Sequence, residues 1–456
     1  MVTSDDTQVQ IHPLLISNQP HHTQKFFPVY SPATSTRLYN FSSASIADVD
    51  VAIASAQVAY PAWKALPPAW KRDIFLRAAD LLHQRRDNLV DVMREETGAP
   101  KSWAEINVNL AVEIVRDVAG RLASLAGNIP TTSDPGTSAL VFKEPYGVVL
   151  AISPWNAPYI LATRSILYPL AAGNTVILKG PEFSPLCVSK LVSCLYDAGL
   201  PEGVLNLLVH RREDAAVVTK HIIEHPAIKK INFTGSTNVG RAIAELAGRN
   251  LKPVLLELGG KAPAIVWEDA DLELAAKECA TGAFMNAGQI CMSTEKIIVH
   301  ANVLESFHEE FKKAVAAFFS LDTDTPVLIN ANAVAVNQNL LSDAVSKGAT
   351  VIFGSLGQAT GASIRPVVLS GVTKQMDIFY KESFGPTVSI VTAKSEEEAL
   401  ELANDTEYGL TAAIFTTDLR RALRMCKEID SGAVHINGMT VHDETSLPHG
   451  GKLSVP

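Results

Sequence analysis

The chain has 456 residues, with 39 basic against 48 acidic for a net charge of −9, and is 19% charged and 47% hydrophobic. That is material for roughly two or three domains with large cores, and it argues against disorder, a disulfide-stapled miniprotein and a collagen-like chain. The acidic balance argues against a nucleic-acid binder, which needs a basic face.

In chain order, Met1 to Gln10 carries Asp5 and Asp6 and no basic residue, the wrong sign for a secretory or mitochondrial leader. Residues 1–30 read as an irregular lead-in. Ser45 followed by Asp48 reads as a helix start, and Val49, Ala52, Ile53, Ala56 and Tyr60 then share one helical face. A second helix is expected over Lys71 to Thr97 and a third over Ala104 to Ala126. From Ala139 the pattern changes to short apolar runs. Residues 139–142, 148–152, 175–178, 205–209, 230–233 and 253–256 read as strands, with helices over 184–198 and 215–225 between them. Buried strands alternating with helices imply a parallel sheet covered on both sides. The alternation resumes after Gly260. Strands are expected at 264–266, 296–299, 350–352, 387–391, 411–416 and 433–436, and helices at 304–319 and 337–347. Two α/β lobes follow, with the crossing near residue 258.

No membrane span is expected. The most apolar region, Gly147 to Asn174, is broken by Pro154, Asn156, Pro158, Arg164 and Pro169. The cysteines are Cys187, Cys194, Cys279, Cys291 and Cys426, an odd number with no C-x-x-C spacing, which argues against a disulfide framework or a structural zinc site. The chain reads as a soluble, reduced, cytoplasmic protein without a metal.

Several segments carry chemistry-bearing residues. Cys291 in Asn286-Ala287-Gly288-Gln289-Ile290-Cys291 is either a small buried hydrophobe or a nucleophile with a base nearby in the fold. Glu257-Leu258-Gly259-Gly260-Lys261 places a carboxylate at a strand end, where α/β sheets build their sites; the alternative is a carboxylate bonded to backbone. In Ser153-Pro154-Trp155-Asn156-Ala157-Pro158 the prolines could aim the Asn156 amide, or Asn156 is a turn residue. Phe233 to Gly240 joins a strand to a helix through small residues that let N–H groups approach a phosphate. Lys179 and Glu182 follow another strand and suit ribose hydroxyls, or form a solvated charge pair. Lys381 to Pro386 otherwise reads as a Gly-Pro turn.

Taken in order, PWNAP, KGPE, FTGSTNVG, ELGGK, GQIC and ESFGP resemble blocks of the aldehyde dehydrogenase superfamily over nearly the whole chain. GPE after Lys179 and VHDETSLPHGG near the end are similar to the salicylaldehyde, benzaldehyde and vanillin dehydrogenase branch. The resemblance implies an α/β fold of two doubly wound lobes, a Rossmann-like cofactor lobe and a catalytic lobe, with a protruding oligomerisation hairpin. An NAD-binding domain would take residues 1–126 and 146–258, the hairpin 127–145, the catalytic domain 259–440 and a shortened C-terminal segment 441–456.

The resemblance also implies roles. Cys291 would attack the aldehyde as thiolate, and the oxyanion would be held by the Asn156 amide and the Cys291 backbone N–H. Hydride would pass to the nicotinamide, and Glu257 would activate the water that hydrolyses the thioester. The cofactor would meet Ser153, Pro154 and Trp155; Lys179 and Glu182 at the adenosine ribose; Phe233, Gly235, Ser236, Val239 and Gly240 around the pyrophosphate; Leu258; and Glu382 with Phe384 at the nicotinamide ribose. Tyr159, Ile290 and Met292 would line the approach to Cys291, with the His442 loop nearby, an apolar channel suited to aromatic aldehydes. Glu182 favours NAD by accepting from the 2′-hydroxyl. Lys179 and the departure His210-Arg211-Arg212-Glu213-Asp214 after Val209 keep NADP open.

Two rival readings are a CoA-acylating semialdehyde dehydrogenase, against which Glu257 argues, and a weakened relative serving as a binding protein. The latter draws on the ending, Leu447 to Pro456, which stops where family chains run on into a strand of a neighbouring subunit. On that reading the hairpin keeps an unpaired edge, and a homodimer is expected ahead of a tetramer.

Overall fold

In a computed structural model, which describes residues 10–319, 326–357 and 359–452, the chain divides into two compact units. One takes the chain up to Ser31 together with Thr36–Leu256; the other takes Pro32–Ser35 and the chain from Glu257 onward.

The first unit is built on a seven-stranded sheet. Its central strands Ile228–Thr234, Val148–Ile152, Thr175–Lys179 and Leu205–Leu208 lie side by side and parallel. Val254–Glu257 borders one edge, and its last residue opens the second unit. The parallel strands are apolar on both faces because helices cover both, and Leu150, Val176, Ile177 and Leu207 are fully buried.

The opposite edge corrects the expectation of an irregular lead-in. Leu14–Ile16 pairs antiparallel with Leu205–Leu208 and with Gln19–His21, and a separate three-stranded sheet joins Ile11–His12, Arg37–Ser42 and Phe26–Tyr30. These strands are two to six residues long and punctuated by Pro13, Pro20 and Pro28. Proline is tolerated because Gln19–His21 and Phe26–Tyr30 are edge strands.

Ser45 caps Ile46–Ala65 through a reciprocal box with Asp48, as its spacing predicts. The single helix expected over 71–97 is two, Pro68–Gln84 and Arg86–Thr97, broken at Arg85. The buried stripe passes through the break in phase, Leu82 and Leu89 lying seven residues apart, so periodicity conceals it. After Lys101–Arg121 the chain makes the expected excursion, but residues 139–142 form no strand. One bridge, Asn128 with Val141, ties its limbs together, and Ile129, Leu140 and Phe142 are mostly exposed. No neighbouring strand of this chain pairs with residues 139–142 among those described, so their β propensity goes unused.

The second unit repeats the plan. Its seven-stranded sheet runs in the order Thr350–Phe353, Val367–Ser370, Thr387–Ala393, Thr294–His300, Ala262–Val266, Thr411–Phe415 and Ala433–Ile436. Only the outermost pair, Thr350–Phe353 with Val367–Ser370, is antiparallel. Val367–Ser370 was not anticipated, although Pro366 and Gly371, the latter at φ +71°, bound its Val-Val-Leu-Ser run. Two apolar clusters sandwich the sheet, one around Phe307, Phe311 and Ile297, the other around Phe379, Ile298 and Leu369. Residues 441–452 are irregular, and their end is held by Lys452 N–H donating to the Gly409 carbonyl at 2.9 Å. The rest of the expected C-terminal segment, 453–456, lies outside the described residues, as do residues 1–9 of the lead-in. Among the described residues no helix is long and apolar enough to cross a membrane.

Candidate active site

In the second unit three segments far apart in sequence meet through glycines. A Cβ on Gly260 would collide with the Cys291 carbonyl; one on Gly259 would collide with the Glu382 carboxylate; one on Gly288 would collide with the Gly385 carbonyl. The segments 257–261 and 288–291, and likewise 288–291 and 382–386, therefore touch backbone to backbone, which only glycine permits, while Glu382 reaches the first segment through its carboxylate. Gly260 N–H donates to Glu382 Oε1 at 2.9 Å. Beneath them Glu295 accepts from Lys261 Nζ at 2.5 Å, Ser383 N–H at 2.9 Å and Phe384 N–H at 3.1 Å, with Lys261 and Glu295 both buried. A buried carboxylate with a cation and two amides is a fully satisfied anchor. Sequence reasoning passed over Glu295 because a lone glutamate inside a strand carries no spacing signal.

Cys291 follows a strained turn. Asn286 and Ala287 have φ near +49° and +56°, a region costly for residues with a Cβ, and Gly288 follows at +73°. Buried Gln289 holds the turn, donating to the Asn286 and Val327 carbonyls and accepting from Ile329 N–H at 2.9 Å. Cys291 is partly exposed, whereas Cys187, Cys194 and Cys279 are buried and burial pushes their thiols up, out of reach of thiolate chemistry. Cys426, also partly exposed, is likewise raised by burial and lies on the helix Leu419–Glu428.

Glu257 ends its strand half-buried, Leu258 is buried, and Gly259 and Gly260 carry the chain to the Cys291 loop. Burial and the charge of Glu295 push Glu382 up to about 8. Phe384 is held in the left-handed region at φ +46°. Ile290 is buried beside the nucleophile. Met292 offers its carbonyl to Thr440 Oγ1 at 2.7 Å, which ties the loop bearing His442 to the residue after Cys291. The His442 ring is itself exposed, 3.2 Å from Glu444.

In the first unit the expected cofactor residues gather at the carboxyl ends of the parallel strands. Ile152, Lys179 and Phe233 end neighbouring strands in register. A groove of about 870 Å³ opens there, lined by Lys179, Glu182, Phe233 and Val239. Lys179 Nζ lies 3.7 Å from Glu182. Ser236 stands at the N-terminal boundary of the helix Thr237–Arg249, where Gly240 is buried, and a Cβ on Gly235 would meet the Phe233 ring. Helix N-termini with close backbone suit phosphate. Ser153 N–H donates to the Lys179 carbonyl, Pro154 follows it, and the Trp155 ring packs edge-on to Phe183. The Asn156 carbonyl is fixed by Trp103 Nε1 at 3.0 Å. The groove also recruits His210 and Arg212, which sequence reasoning met as a departure and gave no role; their signal is position, just beyond a parallel strand.

Tyr159 is a correction. It is fully buried in the first unit, its hydroxyl donating to the Leu89 carbonyl at 2.7 Å, so it lines no open channel. The first turn and a half of the helix Pro158–Ala171 is buried on every side, residues 158–163 all lying in the core.

These residues fit a dinucleotide. The groove holds one unpartnered buried acceptor, His210 Nε2, together with a lysine–glutamate pair and a helix N-terminus. Among the described residues no group of His, Cys, Asp and Glu could hold a metal ion.

Comparison with known proteins agrees. A profile of the aldehyde dehydrogenase family matches residues 19–454. A vanillin dehydrogenase of Pseudomonas sp. (strain HR199) is 44% identical over 97% of this chain and 92% of its own. The crystal structure of a salicylaldehyde dehydrogenase from Pseudomonas putida G7 complexed with salicylaldehyde superposes with TM-score 0.93 and 35% identity, covering 97% and 93% of the two chains. An NADP-dependent glyceraldehyde-3-phosphate dehydrogenase from Bacillus halodurans C-125, complexed with NADP, superposes with TM-score 0.92 and 34% identity, covering 97% and 94%. With two doubly wound α/β units and a match along nearly its full length, the chain belongs to the aldehyde dehydrogenase family and is an oxidoreductase that oxidises aldehydes with NAD or NADP.

Proposed function

We propose that the enzyme oxidises an aromatic or apolar aldehyde to its carboxylic acid through covalent intermediates on Cys291. The carrying observation is the contact of Gly260 with the Cys291 carbonyl, which brings the strand end bearing Glu257 against the nucleophile loop. Cys291 attacks the aldehyde carbon, and its own N–H and the Asn156 amide hold the oxyanion. A nicotinamide dinucleotide held by the residues named below would supply the hydride acceptor for this oxidation. Glu257 then takes a proton from water, which attacks the thioester and releases acid and free thiol. Lys179 and Glu182 hold the adenosine ribose; Ser153 to Trp155, Phe233, Gly235, Ser236, Val239 and Gly240 lie along the dinucleotide; Leu258, Glu382 and Phe384 meet the nicotinamide half. NAD is favoured through Glu182.

Ile290, Met292 and His442 line the substrate approach. Relatives named for vanillin and salicylaldehyde support an aromatic substrate. The domains divide as cofactor-binding residues 1–126 and 146–258, excursion 127–145, and catalytic residues 259–440. The excursion's exposed Ile129, Leu140 and Phe142 suit a homo-oligomer contact. Five unbridged cysteines fit a reducing, cytoplasmic setting.

Glu257→Gln tests the mechanism. A burst of NADH followed by slow turnover is expected, since hydride transfer precedes hydrolysis. Equal slowing of both steps in single turnover would assign Glu257 elsewhere. A kcat/KM higher for succinate semialdehyde than for benzaldehydes would refute the aromatic reading.

A further inference from the structure

Beyond the strand Ala433–Ile436 the chain returns to Glu257. A Cβ built on Gly450 would stand 3.4 Å from Glu257 Oε1, so this segment lies against the carboxylate, and glycine leaves the space beside it open. The segment is clamped in place. A Cβ on Gly432 would collide with the Gly450 carbonyl and one on Gly409 with the Lys452 carbonyl, while the Lys452 ammonium pairs with Asp430. His449 is the residue before Gly450. Its Nδ1 lies 3.6 Å from Asp443 Oδ2, and the two side chains keep 17% and 12% of their surface exposed. A carboxylate on the Nδ1 side orients an imidazole: Nδ1 carries the proton, Nε2 on the other edge of the ring is a base, and the carboxylate stabilises the cation formed when Nε2 is protonated. The other ionisable groups of the loop are engaged with one another, His442 lying 3.2 Å from Glu444 with its ring edge-on to that of His435 at 5.7 Å. Glu257 is half-buried, and a base that has taken a proton from water must lose it before the next turnover.

We propose that His449, oriented by Asp443, is a proton-relay residue that clears Glu257 during thioester hydrolysis. The inference rests on Glu257 serving as the base. As water adds to the thioester, one of its protons goes to Glu257 and its oxygen bonds to the acyl carbon; the carbon–sulfur bond then breaks. The proton on Glu257 crosses the space that Gly450 leaves open to His449 Nε2. The imidazolium, held by the Asp443 carboxylate, gives a proton to solvent through the exposed part of its ring. No electrons change hands in the relay, and Glu257 and His449 both end as they began.

The test follows thioester decay on Cys291 by rapid quench in the full-length enzyme, with benzaldehyde and NAD, beside the NADH burst. His449→Gln and Asp443→Asn are each first checked for an unchanged melting temperature. Both are expected to keep the burst rate within about twofold and to slow decay on the order of tenfold, less than the roughly 100-fold or more of losing a base outright. In both, decay quickens as imidazole buffer is raised, because an external base takes over the proton, while the wild type stays flat. The double variant His449→Gln with Glu257→Gln decays no more slowly than Glu257→Gln alone, since the two residues act in series on one proton. Additive slowing in the double variant, or decay in His449→Gln within about twofold of wild type, overturns the relay and leaves Glu257 as the base. Equal slowing of burst and decay in Glu257→Gln removes the base itself and this inference with it.

Discussion

Gly260→Ala is the sharpest test of how the catalytic unit is assembled. Gly260 is not in the left-handed region, so its backbone conformation is open to alanine. What alanine meets is the Cys291 carbonyl, a backbone group with no rotamer to escape into, and Cβ atoms essentially never come within 3.0 Å of such a neighbour. The Cys291 segment must move by about 1 Å. It cannot rotate freely, because Gln289 pins it on three sides and Gly288 abuts Gly385. Overpacking of this kind costs about 1–3 kcal/mol, less the roughly 0.4–1 kcal/mol that alanine returns by restricting the unfolded chain. The fold should survive. Catalysis should not, since misplacing a reacting group by about 1 Å costs on the order of 100-fold. The assay is steady-state NADH production beside a melting curve and the rate of Cys291 alkylation. Gly120→Ala is the matched control: it lies exposed in the helix Lys101–Arg121 with nothing near its Cβ, and should gain about 0.5–1 kcal/mol with unchanged activity. A Gly260→Ala enzyme with wild-type kcat would refute the reasoning.

Much of this architecture was legible because central parallel strands are buried on both faces, and an unbroken apolar run such as Val148–Ile152 or Ile297–Val299 has few other uses. Ser45 and Asp48 announced their helix because a capping box is local chemistry. The amino-terminal strands were illegible for the converse reason: Leu14–Ile16 is a strand because Gln19–His21 on one side and Leu205–Leu208 on the other pair with it. The same holds in the site. Sequence shows glycines at 259, 260, 288 and 385, but not that they face Glu382, Cys291, the Gly385 carbonyl and Asn337. Lys261 and Glu295 are thirty-four residues apart with no shared motif, yet they form the anchor. Tyr159 was misassigned because adjacency to the Asn156 segment in sequence says nothing about which way a helix turns its first side chains.

Three further outcomes are expected. Cys291→Ala should abolish aldehyde oxidation while leaving NAD affinity nearly unchanged, as read by titration; substantial residual oxidation would remove Cys291 as nucleophile. Lys261→Met leaves Glu295 buried without its cation, and should cost about 3–5 kcal/mol in urea unfolding; a loss under about 1 kcal/mol would show that Ser383 and Phe384 amides suffice. The last concerns Glu96, buried in the first unit, where it accepts from the Tyr39 hydroxyl and from Leu186 and Cys187 N–H at 2.9 and 2.8 Å. These donors favour the carboxylate, but burial outweighs them and pushes Glu96 up to about 7 from its ordinary 4.5. A carboxyl raised in the folded state binds its proton more tightly there than in the unfolded chain. Its contribution is therefore fully present below pH 4.5, falls as pH rises toward 7, and is flat beyond, a span of roughly 3 kcal/mol. Glutamine cannot titrate, so Glu96→Gln should be most destabilised relative to wild type near pH 5, with the gap narrowing steadily to pH 8. Urea midpoints at pH 5, 6, 7 and 8 decide it: a gap constant across that range would mean that Glu96 is already a carboxylate at pH 5 and that the three donors, not burial, govern the site.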